Sequence, residues 1–255
     1  MDILIQNKYE FIFVLIRISV IFTFGIFYGD KRLPKIAKFA FMFLVTMLVT
    51  PTLNIGITGE LNSYQFVMII ISEVLIGVII GLISASILNT LQMAGSIIDV
   101  QGGFGMAQVF DPTTQSQTSI VAQFLISFGL LFFILNDYHI TFLELIINSF
   151  EIIPIGSITN IAGFSNMITE GIKVLIASIS IGVCIALPII GVIFMVDVIL
   201  GISTRTMPQL NLFSVGYIVK IFTTMILIYV YTFSINFFVQ IVTEYVFKVI
   251  ERLVW

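Results

Sequence analysis

Charge, cysteine and histidine are all scarce in this chain, and each scarcity removes a class of function. Only 10% of its 255 residues are charged, and 11 Lys and Arg against 14 Asp and Glu leave a net charge of −3. With a pI near 5.1, the chain has no basic stripe of the kind a nucleic-acid binder needs. Cys184 is the one cysteine. It lies in an apolar run, closes no intrachain disulfide and says nothing about redox compartment. A single histidine, His139, rules out a multi-histidine metal centre. H-E-x-x-H, Walker-type glycine loops and Cys/His clusters are missing too, so no catalytic residue, metal or cofactor is assigned. No basic segment precedes the first apolar run and no small-x-small site follows it, so that run reads as a retained helix and not a signal peptide. No fixed-period repeat and no Pro/Ser-rich linker divides the sequence.

What the chain has in abundance is apolar surface: 59% hydrophobic residues, with 25 Phe and 10 Met, and a mean hydropathy of +1.15. That composition places almost the whole chain in a bilayer. Measured against the roughly 20 residues that cross about 30 Å of hydrocarbon, about six spanning segments emerge and predict an all-α polytopic membrane protein. They are Phe11–Tyr28, with Arg17 inside; Phe39–Val49, running into Pro51; Phe66–Leu88, with Glu73 near one end; Ile120–Leu135, continued by Ile140–Phe150 past Asn136 to His139; Gly171–Ile202; and Leu210–Val242. The last two each exceed about 45 Å at 1.5 Å per residue, so they tilt, break or project beyond the bilayer. Pro188 removes a helix hydrogen bond and predicts a kink in the fifth.

Basic residues set the expected orientation. Lys31, Arg32, Lys35 and Lys38 crowd the link after the first segment and place it in the cytoplasm. Alternation then puts 51–65 and 137–170 outside, where Glu60, Asp137, Glu144, Glu151 and Glu170 occur without any Lys or Arg. The stretches 89–119 and 203–209 fall inside. Both termini fall outside, against the pull of Lys8, Lys248 and Arg252.

Between the third and fourth segments lies a polar island, Gln101–Thr118, rich in Gly and Gln. Backbone that is neither helix nor closed barrel cannot face lipid. The island therefore lies outside the bilayer, packs inside protein or lines a water-filled passage. Gly102, Gly103 and Gly105 allow backbone shapes closed to other residues, and around them sit the bulky apolar Phe104, Met106, Val109 and Phe110. Those are the parts of a displaceable pore plug, and equally of a cytoplasmic loop dipping into the headgroups. Residues Thr113–Ser119 read as the capping region of the fourth helix, and Gly77 with Gly81 forms a G-x-x-x-G face for close helix approach.

Ionisable residues at membrane depth are expensive and face a partner, a cavity or a pathway. Here they are Glu73, Asp99, Asp197, Arg205 and Lys220. Asp197 and Lys220 stand about equally far from Pro208 on opposite arms of a hairpin, so an orienting ion pair would make both cheap to bury. A proton relay through Glu73, Asp197 and Lys220 is the competing reading. An intramembrane aspartyl protease built on Asp99 and Asp197 fails for want of a Gly-x-Gly-Asp context, since Gly103-Phe-Gly-Met106 ends in Met. His139, close to Asp137 at a helix edge, reads as a hydrogen-bonded interfacial residue.

Two blocks carry a resemblance. Gln92-Met-Ala-Gly-Ser-Ile-Ile-Asp-Val-Gln-Gly-Gly-Phe-Gly-Met-Ala107, followed by Asp111-Pro112, matches a pattern of a Gly, an Asp, Gln-x-Gly and a later Asp-Pro. The second block runs from Ala186-Leu-Pro through Phe194-Met-Val-Asp197 to Arg205-Thr-Met-Pro208-Gln209-Leu-Asn211 and on to Lys220. Together, over essentially the full length, they resemble the FliR family of flagellar type III export-gate membrane proteins, which has injectisome relatives. At Asp137-Tyr-His139 many members carry a Gly between the acid and the His. The resemblance implies a bacterial inner-membrane protein of the flagellar basal body, assembled with FliP and FliQ and wrapped by FlhB on its cytoplasmic face. Unfolded flagellar subunits pass through the assembly, driven by the proton-motive force and an export ATPase. It further implies that residues 102–117, including Asp111 and Pro112, lie in the channel as a plug. Residues 1–170 would form a FliP-like part and 171–255 a FliQ-like hairpin in which Asp197, Arg205, Pro208, Gln209, Asn211 and Lys220 serve assembly. A secondary transporter with ion-binding charges is the rival class, and no inverted repeat supports it.

Overall fold

The computed structural model describes residues 8–25, 34–53, 62–105, 119–156, 161–206 and 212–254, and every regular element among them is helical. In order these are α1 (Lys8–Phe24), α2 (Lys35–Val49) with a 3-10 turn (Thr50–Thr52), α3 (Ser63–Gln101), α4 (Ile120–Leu135), α5 (Tyr138–Ile152), α6 (Ile161–Thr206) and α7 (Leu212–Val254). Four stretches are long and apolar enough to cross a membrane: Lys35–Thr52, Ser63–Gln101, Ser165–Arg205 and Val215–Ile250. The pair α4 and α5 makes a fifth, bent where Asn136 meets Asp137. Of the first expected span, α1 covers the part up to Phe24, and residues 26–28 lie outside the described residues.

The third helix is much longer than its apolar core. α3 has 39 residues and continues well past Leu88, through a stretch whose Asn, Thr, Gln and Asp side chains read as the start of a loop. The helix tolerates them because one stripe stays apolar. Ile76, Ile80, Ile83, Ile87, Leu91, Ala94 and Ile98 recur at three- and four-residue spacing and are all buried. Buried hydroxyls along it bond to their own backbone: Ser84 Oγ donates to Gly81 O at 2.8 Å and Ser86 Oγ to Ile83 O at 2.6 Å. α6 (46 residues) and α7 (43 residues) are likewise single helices of about 65–70 Å. α6 runs through Pro188 as one element.

The chain divides into two compact units, Met1–Ile87 with Asp137–Ile176 and Glu244–Trp255, and Leu88–Asn136 with Ala177–Thr243. The first is organised around Arg17, which is wholly buried. Its Nε donates to Glu73 Oε2 at 2.5 Å and its Nη2 to Glu73 Oε1 at 3.1 Å, a two-pronged ion pair. The other arm donates into the end of α5, from Nη1 to Ser149 O at 3.0 Å and from Nη2 to Ile153 O at 2.9 Å. The guanidinium carbon lies 4.3 Å from the centre of the Phe150 ring. One side chain on α1 thus ties α3 to α5. Gly77 and Gly81 make room for it: a Cβ on Gly77 would lie 2.8 Å from Val20 Cβ, and one on Gly81 would lie 2.9 Å from Phe24 Cβ. The G-x-x-x-G face is therefore occupied by α1 of the same chain.

In the second unit Leu91, Ala94, Ile98, Phe104, Val121, Leu125, Ile185, Ala186, Ile189, Ile193, Ile235 and Val239 form one buried cluster. Helices α3 and α4 come closest at Gly95, where any side chain would run into the backbone of Ala122.

Removing Glu73 strands a buried guanidinium. Glu73→Ala is expected to lower the unfolding free energy by about 3–5 kcal/mol, with much of the loss recovered when Arg17→Met and Glu73→Leu are combined. Denaturant unfolding in mixed micelles, followed by far-ultraviolet circular dichroism, measures both. A double variant no better than Glu73→Ala would show that the pair is not the source of the loss.

Candidate functional site

The site is built where α3 stops. Gly102 N donates to Ile98 O at 2.7 Å, and Phe104 N reaches back to Asp99 O at 3.1 Å. Gly103 between them has φ +88°. This six-to-one bond across a left-handed residue is a Schellman stop, and it needs glycine because a Cβ penalises that conformation. Phe104, the next residue, turns inward and is 8% exposed in the apolar cluster of the second unit. Around Gly105 there is open space for a side chain. Met106, Val109, Phe110, Asp111 and Pro112 lie outside the described residues.

The chain is taken up again on the same helix. Ser119 is the N-cap of α4, its Oγ accepting from Ala122 N at 3.1 Å. The same hydroxyl donates to Gly95 O at 3.4 Å. Asp99, 3% exposed, accepts from Val121 N at 3.2 Å through Oδ1. A carboxylate facing the first turn of a helix is stabilised by the unpaired N–H groups and the positive end of the dipole. Asp99 thus serves α4 as a second cap, with its main-chain carbonyl spent on the Gly103 stop. Residues 104 and 119 are both fixed to the last two turns of α3.

Two glycines of the stop lie against α7. A Cβ on Gly102 would sit 2.8 Å from Thr224 Oγ1, and one on Gly103 would sit 3.4 Å from the Tyr217 ring and 3.9 Å from Lys220 Cβ. Lys220 Nζ is 2.6 Å from Asp197 Oδ1, and the two side chains are 25% and 36% exposed. The two sequence blocks, one around Gly102 and one spanning Asp197 to Lys220, therefore meet. Arg205 lies in the last turn of α6, where a cation suits the carbonyl end of the helix. Pro208, Gln209 and Asn211 are outside the described residues. An apolar groove of ≈ 390 Å³ opens beside the stop, walled by Phe104, Phe124, Phe128, Met225, Tyr229 and Phe233.

Other singled-out residues fall elsewhere. Glu73 is committed to Arg17. His139 Nδ1 is buried and has no hydrogen-bond partner among the described residues. Asp137, two residues before it, has φ 57° and is the one non-glycine residue with positive φ among those described. The unusual backbone thus sits on the acid itself, one residue before Tyr138. No group of His, Cys, Asp and Glu among the described residues could hold a metal ion. Sequence reasoning missed Tyr217 and Thr224, which carry no charge or motif. The one available signal was their spacing, which puts them on the Lys220 face of a helix.

Because the Asp197–Lys220 pair is partly solvated, breaking it costs the isolated chain far less than breaking Arg17–Glu73 does. Asp197→Ala or Lys220→Ala is expected to change unfolding free energy by about 0.2–1 kcal/mol. The same micellar unfolding measurement checks this, and a loss as large as that of Glu73→Ala would mean that the pair is buried in solution.

Comparison with known proteins fits the same residues. Positions 9–248 match the family described as bacterial export proteins, family 1. The flagellar biosynthetic protein FliR of Bacillus subtilis (strain 168) is 32% identical over 225 residues, covering 86% of this chain and 85% of that protein. FliR of Escherichia coli (strain K12) is 24% identical over 204 residues, 80% of this chain and 76% of its own. FliR of Buchnera aphidicola subsp. Acyrthosiphon pisum is 24% identical over 247 residues, 96% and 91% of the two chains. The match takes in α1 with Arg17, the glycine stop of α3 and both arms of the Asp197–Lys220 pair, and this chain belongs to bacterial export proteins family 1, the family of the flagellar biosynthetic protein FliR.

Proposed function

We propose that this membrane protein of the flagellar export apparatus, which is not an enzyme, forms part of the export gate, and that the segment from Gly105 onward plugs a channel for unfolded flagellar subunits. Its partners in this reading are FliP-, FliQ- and FlhB-like membrane proteins, with residues 1–170 as the FliP-like part and 171–255 as the FliQ-like hairpin. The observation that carries the reading is the pair of anchors on α3. Phe104 on one side and Ser119 on the other are fixed to the same helix, and the residues between them include Met106, Val109 and Phe110. A loop held at both ends and carrying a few bulky apolar side chains can block water and ions and still be displaced. Phe104 is spent on the chain's own core, so the blocking side chains in this proposal begin beyond it.

The flagellar setting is favoured over an injectisome by the relatives, which are flagellar. An ion-coupled transporter loses support because Glu73, one of the three charges it would use, is fully bonded to Arg17. Partner proteins have surface to cover. Phe222, Ile226, Tyr229, Phe233 and Phe237 are each more than half exposed and share one face of α7.

Deleting Gly105–Phe110, which spares Phe104 and the Gly103 stop, is expected to raise small-ion conductance of the assembled complex in planar bilayers without loss of assembly. Unchanged conductance in a correctly assembled deletion complex would overturn the plug. Produced without FliP-like and FliQ-like partners, the chain is expected to aggregate in mild detergent, because apolar ridges of this extent need cover. A monodisperse, fully folded monomer on size-exclusion chromatography would count against gate membership.

A further inference from the structure

We infer that the outward ridge of α2 is a seat for an anionic phospholipid, with the headgroup on Lys35 and Lys38 and an acyl chain along Phe39, Phe43 and Met47. The inference belongs to the first unit and does not rest on the plug reading. Lys35, Phe39, Phe43 and Met47 follow one another at four-residue spacing, so they form one row along the helix. All four are exposed, Phe39 at 65%. The row is about 18 Å long at 1.5 Å per residue. It begins with a cation and is apolar for the rest of its length, the order in which a phospholipid presents its phosphate and its hydrocarbon. Phe39 and Phe43 make the wall flat: their rings are stacked 20° from parallel with centres 6.4 Å apart. Phe11 of α1 braces Phe43 edge-on at 5.8 Å.

The charged end is set for an anion. The first turn of α2 carries Lys35 and Lys38 and no acid, and its N-cap, Pro34, gives no side-chain hydrogen bond. Cations at this end oppose the helix dipole, so an anion brought to the turn is attracted by the lysines and by the helix itself. Among the described residues Lys35 joins no ion pair. The apolar part points to lipid and not to a protein helix. In hydrocarbon, apolar contact alone gives two helices no drive to associate, and they meet through small residues or polar groups. Gly77 and Gly81 are such a face on α3, and α1 fills it. The outward side of α2 offers bulky Ile36, Phe39, Leu44 and Leu48, each more than half exposed, and no two small residues four apart. Flexible acyl chains conform to such a surface.

The test is made in bacterial cell membranes, where the full chain keeps whatever partners it has. A photoreactive benzophenone amino acid is placed at Phe39 and, in a second sample, at Leu48, which is 66% exposed near the other end of α2. After illumination the adducts are identified by mass spectrometry as phosphatidylglycerol, phosphatidylethanolamine or protein. The ratio of phosphatidylglycerol to phosphatidylethanolamine at Phe39 is expected to exceed that at Leu48 by about fivefold, the effect of one lysine close to an anionic headgroup. Lys35→Gln with Lys38→Gln should bring the two ratios together, and Lys35→Arg with Lys38→Arg should keep them apart. Equal ratios at Phe39 and Leu48 in the parent would overturn the lipid seat, and this comparison stands even if the glutamine variant fails to insert. Protein adducts as the main product at Phe39 would also overturn it, in favour of a partner subunit. So would a preference unchanged by removing both lysines.

Discussion

A helix end has nowhere to hide in an apolar solvent, and this chain is arranged around that constraint. Each terminus leaves four N–H or C=O groups without intrahelical partners, and each group left bare in hydrocarbon costs several kcal/mol. The chain answers with caps, some local and some brought from distant helices. Arg17 donates to the carbonyls that close α5. Asp99 and Ser119 accept from the first turn of α4. At the far end of the same helix the C-cap Asn136 gives both its backbone N–H, at 3.0 Å, and its Nδ2, at 2.8 Å, to Phe132 O. α3 closes itself through the Gly103 stop. The turn at Gly103 is one case of a solution used in several places among the described residues.

Much of this was legible in the sequence, and the limits have physical reasons. Apolar runs found the helices, because hydrocarbon demands length and apolarity whatever the packing. They misjudged the extent of α3, since polarity marks a loop only when the polar residues need water, and Asp99 has a helix end to bind instead. Arg17 and Glu73 each stood out as a charge in an apolar segment. Their pairing was hidden because the partners are 56 residues apart and several other charges were available. Ser119 was readable as a cap because capping is local. The seat of Gly102 and Gly103 on Tyr217 and Thr224 was not, because shape complementarity between distant helices leaves no mark on composition.

Glycine serves two separate ends here, and spacing alone does not separate them. Gly77 and Gly81 are regular helical residues that let α1 pack closely, as small-residue faces do in membranes. Gly103 is there for its left-handed backbone. Asp137 reaches the same region of backbone space without being glycine, at a cost of about 1 kcal/mol, where Tyr138 occupies the position after it. The break between α4 and α5 therefore does not depend on a glycine.

The clasp around Arg17 also sets a clock. Glu73 follows it by 56 residues and the Ile153 carbonyl by 136. At roughly 5–20 residues per second, a ribosome needs about 3–11 s to supply the first and about 7–27 s to supply the second. For that interval α1 exists as an apolar helix with a bare guanidinium at its middle, which a bilayer does not hold comfortably. The nascent helix must wait beside water, lipid phosphate or the insertion machinery until its acid arrives. The order of synthesis is thereby written into the molecule: α1 is settled only when the end of α5 has been made.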